Sequence, residues 1–213
     1  MLINGNHAYT VVDLDSWDRK EHCECFRYLA EPVGFMTIEL DITEFLAKIR
    51  DRNLSFTLCM TYASVKTAAE FEAFRYRFLD GQVVLFDGLD TRFSYLRPQD
   101  RFFRTISAPL ADSMEEYAAL AQEAIQTQKT TFPPSGRYDY IQTAPIPWVS
   151  YTSVTHTKTG TDEDSIPLFS WGKYFQRDGR MLMPFTQRMH HSFVDGEDLR
   201  RWLERLSDFM REC

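Results

Sequence analysis

An α/β fold, laid out as one domain over residues 1–213, is predicted by three features of the chain. Alternating apolar and polar runs at Met36–Ile42 and Leu182–His191 have the two-residue period of strands. Leu199, Trp202, Leu203, Leu206 and Met210 recur at helical spacing, and Thr57–Phe71 is apolar nearly all round, as in a buried helix. Asp80-Gly81 and Asp178-Gly179 each lie between alternating runs, the strongest short hairpin signal. With 44% hydrophobic and 15% aromatic residues, there is ample material for a packed core.

Taken in order, Ser16 is placed to cap a helix from Trp17 to about Leu29, ended by Pro32 and Gly34. The strand Met36–Ile42 follows, and Thr43 is placed to cap a short helix holding Phe45, Leu46 and Ile49. After the Thr57–Phe71 helix, Phe74–Leu79 and Val83–Phe86 form the first hairpin. Strands are expected near Arg92–Leu96 and Phe102–Ser107, then a helix from Asp112 or Ser113 to about Thr127. Pro133, Pro134 and Gly136 make Thr130–Arg137 a loop. Trp148–Ser153 is expected as a short strand and Thr155–Asp164 as a polar surface loop. Leu168–Phe175 and Arg180–His191 form the second hairpin, and the C-terminal helix begins near Glu197 and Asp198. No repeat, long linker or low-complexity tract divides the chain.

The net charge of −7, with no cluster of Lys or Arg, argues against nucleic acid and anionic membranes as partners. No apolar run approaches the ~20 residues that span a bilayer, and no signal peptide is expected. Cys23, Cys25, Cys59 and Cys213 have neither disulfide-framework nor zinc spacing, so reduced thiols and a cytoplasmic location are expected.

The chemistry concentrates at Phe185–Gly196, where a strand turns into a helix. Alternation sends His190 and His191 to opposite faces, so only one can enter a given site. His191 at the strand end is a candidate general base, with a structural turn histidine as the equal alternative. Asp195 is placed to orient the histidine, to pair with an arginine, or to cap the helix. A metal site from His190, His191 and Asp195 is the weakest reading, because the two rings diverge. Ser153 is a candidate nucleophile or oxyanion donor, but no Gly-x-Ser-x-Gly elbow surrounds it. No phosphate-cradling or dinucleotide glycine pattern occurs. His156 is expected to be solvated.

Several collinear segments together resemble the type A chloramphenicol acetyltransferases over nearly the whole chain. They are Asp15–His22, Leu40-Asp41-Ile42-Thr43, Phe74-Arg75 with Asp80-Gly81, Pro147–Ser153, Pro167–Tyr174 and His190-His191-Ser192-Phe193-Val194-Asp195-Gly196. The resemblance implies a two-layer α/β sandwich with a large mixed β-sheet, the fold of the CoA-dependent acyltransferases. It also implies a homotrimer with active sites between subunits. Acetyl-CoA would be a co-substrate rather than a bound cofactor, and no metal would be needed. His191 would take the proton from the acceptor hydroxyl during direct transfer, without an acetyl-enzyme. Ser153 would donate to the oxyanion, Asp195 would pair with Arg19 to brace the site, and Ser170 would assist through a water. Phe26, Gly34 and Phe103 would line the acceptor pocket, and Lys173 would contact CoA.

The chain departs from that pattern in places. Ser192-Phe193-Val194 stands where the family often has Ala-Val-Cys, His156-Thr157 where it has Leu-Asn, and Ser55 where a lysine commonly meets CoA phosphate. Gly34 replaces a usual aromatic, and Arg104 follows Phe103 where a small polar residue is usual. The resemblance therefore implies acetyl transfer more firmly than it implies chloramphenicol as acceptor. Another small alcohol or amine, or a non-catalytic binding role, is the alternative.

Overall fold

The computed structural model describes residues 2–134 and 136–213. The helices are α1 (Lys20–Arg27), α2 (Thr43–Asp51), α3 (Phe56–Ala68), α4 (Met114–Thr127) and α5 (Gly196–Glu212). The strands are β1 (Leu2–Asn4), β2 (His7–Val11), β3 (Val33–Asp41), β4 (Tyr76–Leu79), β5 (Gln82–Phe86), β6 (Asp90–Tyr95), β7 (Arg104–Ala108), β8 (Tyr140–Thr143), β9 (Leu168–Trp171), β10 (Phe175–Arg177) and β11 (Arg180–His190). Their arrangement is α/β with a large mixed sheet, as expected.

That sheet has seven strands in the order β10-β11-β9-β8-β6-β7, with β3 also paired to β11. The β6–β8 and β8–β9 pairs are parallel and the rest antiparallel. β11 is its spine, pairing with β3 from Leu182 to His190 and with β9 from Phe185 to Arg188. Strand alternation gives the sheet two different faces. Phe169 and Phe185 face the helices, where Trp202 of α5 stacks on Phe169 and its indole N–H donates to Thr67 of α3 at 3.1 Å. Thr186, Arg188 and His190 face the other way.

The smaller sheet, β1-β2-β5-β4, is tied to the larger one through buried polar groups. The Arg77 guanidinium is fully buried and donates to the carbonyls of Phe74, Tyr76, Tyr138 and Tyr140. Burial pushes its pKa down to about 9. His7, Asp90 and Asp139 bring ligand atoms within 4.8 Å of one another. Arg137 already ion-pairs both carboxylates at 2.8 Å, so the group acts as an ion-paired tie between the sheets.

The Asp80-Gly81 hairpin forms as predicted, with φ of 50° and 78° at the turn. Asp178-Gly179 makes the same turn, but its arms are β10 and β11; Leu168–Trp171 is a separate strand that pairs with β11 farther along. Trp148–Ser153 is not a strand, because its backbone packs over the close Gly172 step rather than joining the ladder. The Lys173 N–H donates to Val149, and a Cβ on Gly172 would lie 2.6 Å from the Val149 carbonyl oxygen. The strand β8, which has no alternating sequence signature long enough to announce it, fills that place in the sheet.

Ser16 does not cap α1. Its hydroxyl donates to Asp13, and the helix starts later, at Lys20. Thr43 likewise gives α2 no side-chain cap: its hydroxyl donates to Asp41 at 2.6 Å and accepts from the Met181 N–H. Ser113 does cap α4, accepting from the Glu116 N–H at 3.2 Å. The predicted loop at 130–137 contains Ser135, which lies outside the described residues.

Candidate active site

β11 ends at His190, and the next turn decides which histidine is available. His190 is 5% exposed, edge-on to Phe78 at 5.1 Å, and its Nδ1 accepts from the Ser192 N–H at 3.2 Å. Burial pushes its pKa down to about 4, so it is neutral near pH 7. His191 lies past the strand end and is exposed. Its backbone N–H donates to Pro32, and its Nδ1 lies 3.1 Å from the Val194 carbonyl oxygen. A carbonyl only accepts, so Nδ1 carries a proton, and in the neutral tautomer this leaves the lone pair on Nε2. Phe26 of α1 stacks on the ring, with centroids 3.9 Å apart.

The residues between the histidines and α5 hold this turn in place. The Phe193 and Val194 N–H groups both donate to the His190 carbonyl. Buried Ser192 donates to the Cys23 carbonyl of α1, and Phe193 fills an aromatic cluster with Tyr76 and Phe78. Asp195 caps α5, accepting from the Glu197 and Asp198 N–H groups, and Asp198 accepts back from the Asp195 N–H. Arg19 donates to Asp195 at 3.3 Å and to Asp198 at 2.6 Å. Arg19 thereby ties α1, with Phe26, to the start of α5. Asp195 faces Arg19, no hydrogen bond joins it to His191 among the described residues, and His190 is buried on the other side. The His190–His191–Asp195 metal reading therefore fails on geometry.

A cavity of about 180 Å³ opens beside His191, lined by Gly34, Met36, Met189, Val194 and Leu199. A Cβ on Gly34 would meet nothing within 4 Å, so the glycine keeps this space open without any backbone need for it.

Ser170 is elsewhere. It pairs with Thr186 across β9 and β11, on the face away from the helices, and is fully buried. His191 lies five residues beyond Thr186, ~17 Å along the strand. Ser153 is exposed and sits between Tyr151 and His156, both of which reach the Ser170 hydroxyl. Phe103 is 50% exposed and lines a second cavity of about 380 Å³ with Tyr95, Phe102, Ile146 and Trp148. Arg104 turns away from it, donating to Asp100 at 2.6 Å and to the Lys129 carbonyl; Arg101 is the cation that lines it. Lys173 is exposed beside Val149. The chain thus carries two groups: His191, Phe26, Gly34, Arg19 and Asp195 at one end of β11, and Ser153 and Ser170 across the sheet. Among the described residues no hydrogen bond joins them.

Two features escaped the sequence reading. His156 is half-buried rather than a free solvated side chain; its Nε2 is 2.9 Å from Ser170 Oγ. Nor is the loop at 155–164 wholly on the surface: Asp164 is buried and ion-pairs with Arg188 of β11. An arginine inside a strand with the pattern of a buried one was the available signal, since a buried guanidinium requires an acidic partner or carbonyls.

The sequence and the fold have known counterparts. The family model described as "Chloramphenicol acetyltransferase" matches residues 7–207. A chloramphenicol acetyltransferase of Klebsiella sp is 27% identical over 208 residues, 96% of this chain and 95% of that protein. Chloramphenicol acetyltransferase 3 of Escherichia coli is 25% identical over 205 residues, 94% of this chain and 96% of its own length. A solved chloramphenicol acetyltransferase superposes with a TM-score of 0.87 at 28% identity, covering 95% of this chain and all of that one. Dihydrolipoamide acetyltransferase of Azotobacter vinelandii shares the fold, with a TM-score of 0.68 at 17% identity over 90% of this chain and 86% of that one. No helix among the described residues is long and apolar enough to cross a membrane. Matched along nearly its whole length in sequence and in fold, the chain belongs to the chloramphenicol acetyltransferase family, a family of acyltransferases.

Proposed function

We propose that this protein is an acetyl-CoA-dependent O-acetyltransferase that inactivates chloramphenicol by direct acetyl transfer to a hydroxyl. The observation that carries the reading is the state of His191. Its Nδ1 proton is committed to the Val194 carbonyl, its ring is held by Phe26, and its Nε2 is left as an exposed base. Nε2 takes the acceptor hydroxyl proton as the oxygen attacks the thioester carbon. The carbonyl becomes an oxyanion, to which Ser153 donates, with Ser170 in support. Collapse breaks the C–S bond, and the CoA thiolate recovers the proton from the His191 imidazolium. A positioned base contributes ~10²–10⁴-fold and an oxyanion donor ~10²–10³-fold. Arg19 and Asp195 hold the turn rather than relay the proton.

The ~17 Å between His191 and Ser170 along β11 supports a site shared between chains. A surface end meeting a different surface of the next copy is a heterologous contact, which gives a ring where its rotation closes. The family resemblance makes that ring a homotrimer of single-domain chains in the cytoplasm. Phe26, Gly34 and Phe103 would line the acceptor pocket and Lys173 would contact CoA. One observation favours a second reading, transfer to a different small alcohol or amine: Gly34 leaves open space beside the base.

The test is to mix purified protein with acetyl-CoA and chloramphenicol and to follow free CoA thiol. Release that requires chloramphenicol and is lost in His191→Ala is expected. Full activity in His191→Ala would overturn the mechanism, and no release in the wild type would overturn chloramphenicol as acceptor.

A further inference from the structure

The mechanism leaves one well-placed histidine unused. His156 Nε2 lies 2.9 Å from Ser170 Oγ, and Tyr151 approaches the same hydroxyl at 3.5 Å. Tyr151 also meets the Thr186 hydroxyl at 3.4 Å, and Thr186 meets Thr37 at 2.7 Å. A line of hydroxyls therefore crosses β3, β11 and β9 on the face away from the helices, and it ends in an imidazole.

The loop that carries this imidazole is pinned on both sides. The Asp164 carboxylate accepts from the Thr159 N–H at 2.9 Å and the Gly160 N–H at 2.7 Å, and it pairs with Arg188 of β11. Arg188 also donates to the Ile166 carbonyl at 3.1 Å. Lys158 pairs with Glu31 at 3.0 Å. Such a loop holds His156 in one place, so its bond to Ser170 is a fixed contact. Burial, and the positive charge of Arg188, push the His156 pKa down, which keeps the ring neutral near pH 7. A neutral imidazole bonded to a hydroxyl determines which way that hydroxyl points its single proton.

We propose that His156 is a positioning residue of the acetyl-transfer site, orienting the Ser170 hydroxyl and fixing the segment that carries Ser153. Ser153 lies between Tyr151 and His156, so both ends of its segment are anchored to the same serine. The inference rests on the acetyl-transfer reading and adds to it a residue that substrate need not touch.

The experiment measures kcat, both KM values and Tm for the wild type, His156→Leu, His156→Gln, Ser170→Ala and the His156→Leu/Ser170→Ala double variant. Loss of one neutral hydrogen bond that acts on the transition state corresponds to a fall in kcat of roughly three- to tenfold. That fall is expected in His156→Leu, with the KM for acetyl-CoA unchanged. His156→Gln, whose amide can reach the place of Nε2, is expected to recover most of it. The double variant is expected to be no slower than Ser170→Ala, because the two residues act as a unit. Should His156→Leu fail to fold, His156→Asn, a polar side chain that falls short of Ser170, is expected to show the same fall in kcat. Wild-type kcat in His156→Leu or His156→Asn, or a double variant slowed by the product of the single effects, would overturn the inference. Absence of turnover in the wild type would instead overturn the acetyl-transfer reading, and this inference with it.

Discussion

Two inactive variants of this protein are predicted to restore each other. His191 stands at one end of β11, and Ser170, with the Ser153 segment anchored to it, lies ~17 Å back along the strand on the opposite face. If one active site takes its base from one chain and its oxyanion donor from the next, His191→Ala and Ser153→Ala damage opposite halves. Coexpressed in equal amounts and mixed at random in a ring, half of the protomers carry an intact His191 and half an intact Ser153. About one site in four then has both, so the mixture is expected at about 25% of wild-type kcat. Each parent should fall well below that. Losing the base removes ~10²–10⁴-fold and losing an oxyanion donor ~10²–10³-fold, so the background is ~1% or less. The assay is CoA thiol release from the copurified, unselected mixture, with a distinguishable tag on each variant to confirm that the two are present in equal amounts. Simple mixing of the separately assembled parents serves as the control. Activity no higher than the sum of the parents would refute the shared site, because a site within one chain cannot be repaired by a neighbour.

Further predictions follow from buried charge and from the open cavity. Asp164→Ala would leave Arg188 buried without its acidic partner and release the loop; a loss of about 3–5 kcal/mol in urea denaturation and faster proteolysis within 155–165 are expected. His190 is held neutral with a pKa of about 4, below its ordinary value of about 6.5, so its contribution is fully present above pH 6.5 and is lost as pH falls toward 4. Unfolding free energy should therefore drop by about 3 kcal/mol more in the wild type than in His190→Gln between pH 7 and pH 4. Equal slopes would show that the ring titrates normally. Gly34→Leu meets no obstructing atom at Cβ and projects into the cavity beside His191, so Tm should hold while KM for a bulky acceptor rises several-fold. An unchanged KM across acceptors of different size would place the acceptor elsewhere.

The sequence by itself determined whatever depends on local pattern. The alternation through β11 and β3, the Asp-Gly turns and the helical stripe of α5 all formed, because side-chain period and turn chemistry act over a few residues. The same alternation separated His190 from His191, and the structure buries one ring and exposes the other. Asp195 could be read as a helix cap or as the partner of Arg19, and it is both. What the tertiary structure alone decided depends on contacts between distant segments. Trp148–Ser153 has strand composition, yet it packs over Gly172, and the place in the sheet goes to β8. His156 reads as one polar loop residue among many, until Asp164 and Arg188 draw that loop onto β9 and β11. The separation of His191 from Ser170 is likewise invisible along the chain, because it is set by the register of β9 against β11. A sequence names the groups that can do the chemistry, but burial, register and long-range pairing decide which of them meet. No short window of residues encodes these, because each is a balance struck across the whole folded chain.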